Sequence, residues 1–457
     1  MNKENDTIVA ISTKLGKSAI SIIRVSGPDA ISLVNQLFKK GKDLTKVPTH
    51  TIHYGYIYDN DQPIDEVLVT IMKAPKTFTR EDVVEINCHG GLSTTLKIFE
   101  QLQLIGARVA DPGEFTKRAY LNGRIDLTQA EAVMDLIESK SDQVRKMALS
   151  SLEGNLKNYI INFRNQLKHV LANIEVNIDY PEYYDIAEVT YQEIKDLIAN
   201  LQPKLQDLIT RSEEMLTIKN GIKTVIVGRP NVGKSSILNA LLNQDKAIVT
   251  DIEGTTRDIV EGNIIVDGIE LNLIDTAGIR NTDNLVEKIG VEKSLSLLED
   301  ADLVIAVLNS SEPLIQEDET ILQKLKENNK TTILVLNKND LPQKLERNTL
   351  DFPNIVSTNT NSIEGIEPLK QQIKTLFSKE QLTEKDYTYL ASTRQLTLAK
   401  KAYISLQQAK KSLIENQPID IIEIDLKEVM DILGNIIGDS YDEQLLDELF
   451  ANFCVGK

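Results

Sequence analysis

A chain of 457 residues has room for about three domains, and its 41% hydrophobic and 26% charged residues are the proportions of a water-soluble globular protein. The net charge of −17 argues against unaided gripping of nucleic acid, because cations that neutralise phosphates supply most of that affinity. Only Cys88 and Cys454 occur, no long apolar run is present and MNKENDTIVA has no basic-then-apolar leader, so a cytoplasmic protein without disulfides or a membrane span is predicted.

Residues 1–118 read as a compact α/β unit. Strand candidates at 20–25, 67–71 and 83–86 are interleaved with helical patterns at 30–38 and 92–104, and Gly27-Pro28, Gly90-Gly91 and Pro112-Gly113 punctuate them. Thr128 to Glu131 (TQAE) has the pattern of a capping box opening a helix. Leu152, Leu156, Tyr159, Ile160, Phe163, Leu167, Val170, Leu171 and Ile174 then recur at steps of three and four, which predicts one face of a long helix broken by Pro181. A second amphipathic stretch covers 191–216. Over 217–380 the pattern changes to apolar β-branched runs at 224–227, 271–274, 303–308 and 333–336, alternating with helical stretches, as in a parallel sheet covered on both faces. The helical period returns with Leu396, Ala399, Tyr403, Leu406 and Leu413, and a last helical region is predicted over 425–453. The expected organisation is a unit at 1–118, a helical domain in two parts at 119–216 and 381–457, and an α/β domain at 217–380 inserted between them.

Four motifs of that inserted segment share one chemistry. GRPNVGKS (228–235) follows a strand and opens a helix, the context of a phosphate loop. Its amides, including those of Asn231, Val232, Gly233 and Ser236, face phosphates, Lys234 reaches the β- and γ-phosphates, and the Ser235 hydroxyl holds Mg²⁺. DTAG (Asp275, Thr276, Ala277, Gly278) ends the next strand, with Asp275 set to reach Mg²⁺ through water and Gly278 to approach the γ-phosphate. GTTRD (254–258) lies between, and Thr256 is the candidate to complete the Mg²⁺ shell when the γ-phosphate is present. NKND (Asn337, Lys338, Asn339, Asp340) supplies the carboxylate of Asp340, which accepts from N1 and the 2-amino group of guanine; adenine offers neither donor, so GTP is selected over ATP. Ser357 stands where a fifth element would contact the base oxygen, although Ser-Thr replaces the usual Ser-Ala. No glutamine follows DTAG to orient the attacking water; either hydrolysis is slow unaided or another group does so, the nearest charges being Arg280 and Glu287.

Further motifs lie outside this segment: FTREDVVEINCHGG (78–91), PGEFTKRAYLNGRIDLTQAEAV (112–133) and the terminal FCVGK (453–457). With GRPNVGKSS and DIEGTTRD they make the chain resemble, over essentially its full length, the MnmE (TrmE) family of tRNA uridine-modifying GTPases. The resemblance implies a multidomain α/β plus α fold: an aminomethyltransferase-like α+β domain that binds folate and dimerises, a discontinuous helical domain, and an inserted Ras-like P-loop GTPase domain. It implies a partner, the flavoprotein MnmG (GidA), which brings FAD, and a joint reaction that adds an aminomethyl or carboxymethylaminomethyl group to C5 of the wobble uridine of certain tRNAs, with 5,10-methylene- or 5-formyl-tetrahydrofolate as the folate. By motif, Arg24, Glu85, Arg124 and Lys457 match the folate contacts, and Cys454 matches a cysteine needed for modification. A thiolate there can serve acid–base or nucleophilic chemistry, and a small semi-buried apolar role is the alternative. Asn231 matches the K⁺ ligand of a K⁺-stimulated hydrolysis, and Thr250, Asp251, Ile252, Glu253, Gly254 and Thr255 match the loop around that ion, with Thr250, Ile252 and Thr255 as ligands. Glu287 matches the residue that positions the hydrolytic water. The GTPase motifs alone equally suit a switch whose nucleotide state only controls assembly, and the amino-terminal motifs alone suit a folate-binding regulator; the terminal cysteine and the FTRED block favour the modification enzyme.

Overall fold

The computed structural model describes residues 6–179, 184–244, 262–274, 298–328, 330–345, 347, 350–377, 388–439 and 443–456. The chain divides into two compact units, Met1–Met134 with Ser151–Pro203 and Thr397–Lys457, and Asp135–Ser150 with Lys204–Leu396.

In the first unit, β1 (Ile8–Ile11), β2 (Ile20–Ser26), α1 (Ala30–Leu37), β3 (Phe38–Lys39), β4 (Thr51–Asp59), β5 (Gln62–Met72), β6 (Val83–His89), α2 (Leu92–Leu104) and β7 (Arg108–Val109) form a seven-stranded sheet of order β3-β4-β5-β6-β2-β1-β7. Only β1 and β7 of this sheet pair in parallel; the antiparallel remainder makes this an α+β layer, as the family resemblance implies, where the strand and helix pattern alone read as a compact α/β unit. The period of two explains its faces. Ile23 and Val25 on β2 and Val84, Ile86 and Cys88 on β6 pack under α1 and α2 with Val34, Ile98 and Leu102, while Arg24 and Glu85, directly opposite in register, project from the other side. Burial holds the Cys88 thiol above its ordinary range, so it is a core residue and not a nucleophile.

The first unit continues through α3 (Glu114–Leu121) and α4 (Leu127–Glu138). The cap of α4 corrects the sequence reading. Asp126 Oδ1 accepts from the N–H groups of Thr128 (2.8 Å) and Gln129 (3.1 Å), and Gln129 Oε1 accepts from the Asp126 N–H (3.0 Å). The reciprocal box therefore starts two residues before Thr128, whose hydroxyl instead donates to Asp126 at 2.6 Å. A second correction concerns the long helix: Leu152 ends α5 (Asp142–Leu152), Gly154 breaks the path at φ +86°, and α6 (Asn155–Asp179) starts after it, burying Leu156, Ile160, Phe163, Leu167, Val170, Leu171 and Ile174. Pro181 lies outside the described residues. α7 (Tyr184–Asn220) follows, longer at both ends than the amphipathic stretch predicted.

The second unit holds β8 (Ile222–Val227), α8 (Lys234–Gln244), β9 (Gly262–Val266), β10 (Ile269–Leu273), β11 (Leu303–Asn309), α9 (Gln316–Asn328), β12 (Thr331–Asn337), β13 (Ile355–Ser357) and α10 (Glu367–Phe377). The sheet order is β13-β12-β11-β8-β10-β9, parallel except for the β9–β10 hairpin. Successive residues of β8 face opposite cores: Ile226 meets Leu238 and Leu241 of α8 and Leu369 and Ile373 of α10, whereas Val225 and Val227 meet Ile321 and Leu325 of α9. Near-continuous apolar runs such as Leu303–Asn309, buried throughout, are what two covered faces require. The chain enters and leaves this sheet side by side: Leu390 N–H donates to Ser212 Oγ (2.8 Å), and Lys219 Nζ reaches the Ala391 carbonyl (2.5 Å) and Asp135 (2.6 Å). Met147, Met215, Ile218, Tyr389 and Ala391 close a small core at that junction.

The last helices are α11 (Thr393–Ile414), α12 (Ile419–Ile437) and α13 (Glu443–Phe450). The last region is thus two helices, because Gly438 at φ +89° accepts the left-handed turn that stops α12. In the first unit α12 packs on α6, and Arg164 lies against Gly434, where a Cβ would sit 3.2 Å from its guanidinium.

Candidate nucleotide and amino-terminal sites

The parallel strands β8, β11, β12 and β13 all deliver motifs at their carboxyl ends: the phosphate loop, Ser310, Asn337-Lys338-Asn339-Asp340 and Ser357-Thr358. A parallel sheet places ligand-binding loops there because every strand exits on the same side. Two glycines set the phosphate loop. At Gly228 (φ +149°) a Cβ would lie 2.4 Å from the Val307 carbonyl oxygen, and at Gly233 (φ +103°) it would lie 2.1 Å from Asn337 Nδ2. The loop therefore passes against β11 and the guanine-reading motif at backbone distance. Lys234 Nζ donates to the Gly228 and Arg229 carbonyls at 2.9 and 2.8 Å, which holds its ammonium at the loop. Ser235 and Ser236 lie in the first turn of α8, where the helix dipole favours phosphate oxygens. Asn231 is exposed and takes φ +61°.

Asn337 has a role that its motif position did not disclose. It is 1% exposed; its Nδ2 donates to the Val232 carbonyl (2.9 Å), its Oδ1 accepts from the Thr358 hydroxyl (3.2 Å), and its carbonyl accepts from the Ser310 hydroxyl (2.8 Å). One buried amide thus joins the phosphate loop, the base-reading motif and the fifth element. Thr358 N–H also donates to the Leu336 carbonyl (2.9 Å) and Asn339 N–H to the Thr358 carbonyl (3.0 Å), so Ser357 sits beside the base-reading loop. Asp340 accepts from Asn361 Nδ2 at 2.8 Å. Lys338 takes φ +63° next to it. Arg229 was also missed. It pairs with Asp318 Nε to Oδ2 at 3.1 Å and with Glu312, and ties the loop to the start of α9. Asp318 is 2% exposed, and burial raises its carboxyl above the usual range against the lowering pull of Arg229. Thr250, Asp251, Ile252, Glu253, Gly254, Thr255, Thr256, Asp275, Thr276, Ala277, Gly278 and Glu287 lie outside the described residues.

In the first unit Arg24, one of the predicted folate residues, meets the carboxyl-terminal segment. Arg24 donates from Nε to Glu85 Oε1 (2.9 Å) and from a terminal nitrogen to the Gly456 carbonyl (2.9 Å), and its guanidinium lies 5.7 Å from the Phe115 ring centre. Ser12 Oγ donates to the same Gly456 carbonyl at 3.4 Å. Gly113 N–H donates to the Cys454 carbonyl (3.3 Å), and Gly113 at φ +66° leaves no space for a Cβ against Phe453 and the Phe450 carbonyl. Phe453 is buried and Cys454 beside it is exposed, so the cysteine is not the semi-buried apolar residue of the alternative reading. Arg124 stacks on Phe78 at 4.7 Å; burial and the nearby Arg80 lower its proton affinity. Phe78 packs against the buried cluster of Ile8, Ala10, Ala110 and Phe115. Lys457 lies outside the described residues.

The FTRED and PGEF blocks have a structural task as well. Arg118 reaches Asp6 (2.5 Å), Glu81 (3.1 Å) and Glu114 (2.9 Å); Arg108 reaches Asp6 and Glu114 at 2.5 Å each; Ser26 donates to Glu81 at 2.7 Å. Burial raises the Glu114 carboxyl, but hydrogen bonds from Arg108, the Asp111 amide and Arg118 outweigh it and hold it below the usual carboxylate range. The spacing of Glu114 and Arg118, one helical turn, was legible in sequence; Asp6 and Glu81 came from elsewhere in the chain.

The chain is similar to known proteins over its whole length. The family model described as the MnmE helical domain matches residues 127–454, and that described as the GTP-binding protein TrmE N-terminus matches 7–124. The protein of Streptococcus thermophilus named tRNA modification GTPase MnmE is 50% identical over 459 residues, covering 100% of both chains. The Bacillus subtilis protein of the same name is 46% identical, over 99% of this chain and 100% of its own. Among solved structures, the G domain of the T. maritima FeoB iron transporter is 32% identical over 34% of this chain and 97% of that one, with a TM-score of 0.25. Identity at this level along the whole chain, with the phosphate loop and guanine-reading loop assembled at the ends of parallel strands, means that the chain belongs to the MnmE (TrmE) family and is a GTPase acting in tRNA modification.

Proposed function

We propose that this GTPase is K⁺-stimulated and that, as a homodimer working with the flavoprotein MnmG, it transfers a folate-borne one-carbon unit in building an aminomethyl or carboxymethylaminomethyl group on C5 of the wobble uridine. The observation that carries this reading is the docking of the carboxyl-terminal segment on the amino-terminal domain. Gly456 accepts from Arg24 beside Glu85, so the terminal cysteine and the charged residues assigned to folate share one surface. These residues fit a reduced folate: Glu85 and Arg24 keep part of their side chains exposed, Glu85 is an acceptor for ring N–H groups, and Arg124 is a cation for a glutamate tail. The folate would supply the carbon, while Arg24 orients Glu85 and Cys454 offers an exposed thiol.

The GTPase residues divide the work in the same way. The Gly228–Ser235 amides and Lys234 cradle the phosphates, Ser235 with Thr256 holds Mg²⁺, Asp340 reads guanine, and Glu287 positions water. Asn231, with Thr250, Ile252 and Thr255, would hold K⁺, a cation that stabilises charge on the transferred phosphoryl group. Asn231 fits as a ligand, being an exposed carbonyl-bearing side chain at the mouth of the loop. We assign the domains as 1–118, 119–216 with 381–457, and 217–380, in a cytoplasmic protein. Exposed Ile52, Tyr54 and Leu68 on β4 and β5 form an apolar face suited to the homodimer. FAD enters only with MnmG, and tRNA binds chiefly to the joint complex.

GTP turnover in matched K⁺ and Na⁺ buffers tests the first half; equal rates would discard the Asn231 assignment. Mass spectrometry of tRNA from a deletion strain tests the second, and an unmodified wobble uridine is expected.

A further inference from the structure

The phosphate loop is anchored at its second residue by the start of α9. The Arg229 side chain is largely enclosed; its Nε donates to Asp318 Oδ2 at 3.1 Å, and a terminal nitrogen reaches Glu312. Asp318 is 2% exposed, and the same Oδ2 accepts from the Ile315 N–H at 3.3 Å, so the first turn of α9 fixes this carboxylate in place. Among the described residues its Oδ1 has no hydrogen-bond partner, which leaves Arg229 as the cation that compensates it.

The main chain of Arg229 has a different task. Its carbonyl accepts from Lys234 Nζ at 2.8 Å, beside the Gly228 carbonyl at 2.9 Å. An ammonium has three donors, so two of them held by these carbonyls set the direction of the third. The place of Lys234 at the β- and γ-phosphates therefore depends on where the two carbonyls stand. Gly228 is fixed by β11, against which a Cβ would lie 2.4 Å from the Val307 carbonyl oxygen. Arg229 is followed by Pro230, which has no N–H with which to tie the backbone, and the Arg229 side chain supplies a tie instead. A buried ion pair adds little net stability over apolar side chains of the same volume, because desolvation cancels most of the attraction. A planar guanidinium seated on an enclosed carboxylate does supply direction.

We propose that Arg229 is a positioning residue for GTP hydrolysis: anchored on Asp318, it fixes the carbonyl that steers Lys234 onto the phosphates. Asp340, the guanine-reading carboxylate, takes its hydrogen bond from Asn361 and stands outside this set of contacts, so the choice of base does not depend on Arg229.

The test uses the full-length protein and reads kcat for GTP together with titration of a fluorescent GDP. Arg229→Ala is expected to lower kcat about tenfold, as a small misplacement of a catalytic group does, and to weaken GDP about fivefold, with the preference for GTP over ATP kept. Arg229→Lys retains a cation for Asp318 and should recover part of both losses. Asp318→Asn should reproduce the Arg229→Ala losses, and the two changes combined should not add. The decisive comparison is made in a Lys234→Ala background. A residue that acts through Lys234 adds no further loss of GDP affinity there, whereas one that only holds the loop together weakens GDP equally in both backgrounds. Thermal unfolding verifies that each variant folds; if Arg229→Ala does not, Arg229→Lys and Asp318→Asn carry the same comparisons. An unchanged kcat in folded variants, or equal weakening of GDP in both backgrounds, overturns the proposal. Loss of the GTP preference in parallel with kcat overturns it as well, since the change would then be a general collapse of the site.

Discussion

Asn337 does more than complete a motif. Its amide is fully enclosed and satisfies a carbonyl of the phosphate loop and a hydroxyl of the fifth element. Truncation to alanine leaves both without partners, which costs about 1–3 kcal/mol. We expect Asn337→Ala to lower the melting temperature and to weaken GTP binding at least tenfold, measured by thermal unfolding and fluorescent-nucleotide titration. Gly233→Ala attacks the same junction from the other side, because its methyl would occupy the place of Asn337 Nδ2; nucleotide binding should be lost while β8 and its sheet persist in circular dichroism. By contrast, Asp340→Ala removes a group partnered only to Asn361 among the described residues, so stability should hold while the preference for GTP over ATP disappears in competition titrations.

At the scale of elements, α3 depends on the ions around Glu114. Arg118 is 6% exposed and serves three carboxylates. Replacing it with alanine strands buried charges, a change worth about 3–5 kcal/mol, and unfolding should show it directly. The pH sense follows from the lowered carboxyls of Glu114 and Asp6: their stabilisation is complete above the ordinary carboxylate values of 4.5 and 3.8 and is lost as pH falls through the lower folded values. Glu114→Gln should flatten that acid limb of the stability profile; an unchanged slope would exclude Glu114 as its source. The start of α4 makes a smaller claim. Asp126 holds two amides and one hydroxyl, so Asp126→Ala should cost about 1 kcal/mol, more than removal of the Thr128 side-chain oxygen. The β9–β10 hairpin, which joins the GTTRD and DTAG segments in sequence, is held through Glu270 by Asn263 (3.0 Å) and by Lys140 (2.6 Å).

For the whole molecule, charge bears on how strongly the chain by itself can hold tRNA. A net charge of −17, with ten acidic residues against Lys427 between Asp420 and Glu448, leaves little to neutralise phosphates. We expect weak tRNA retention by the isolated protein and much tighter retention in the complex with MnmG; strong, salt-sensitive shifts by the protein alone would refute this. No helix among the described residues is long and apolar enough to cross a membrane.

The nucleotide chemistry was legible in sequence because its motifs are local: a glycine loop between strand and helix, or a carboxylate after a buried strand, works through neighbours a few residues away. Helix faces were legible for the same reason, since the step of three and four is a property of the chain itself, although Gly154 and Asp126 moved their ends. What only the tertiary structure decided is the meeting of distant groups. Asp6 with Arg118, Asn337 with Val232, Gly456 with Arg24 and Arg80 with Asn122 are set by strand register, loop path and packing, and the one-dimensional pattern carries no distance between them. The family resemblance gave Arg24, Glu85 and Arg124 as expected folate contacts; it was the folded chain that placed the carboxyl-terminal segment against Arg24.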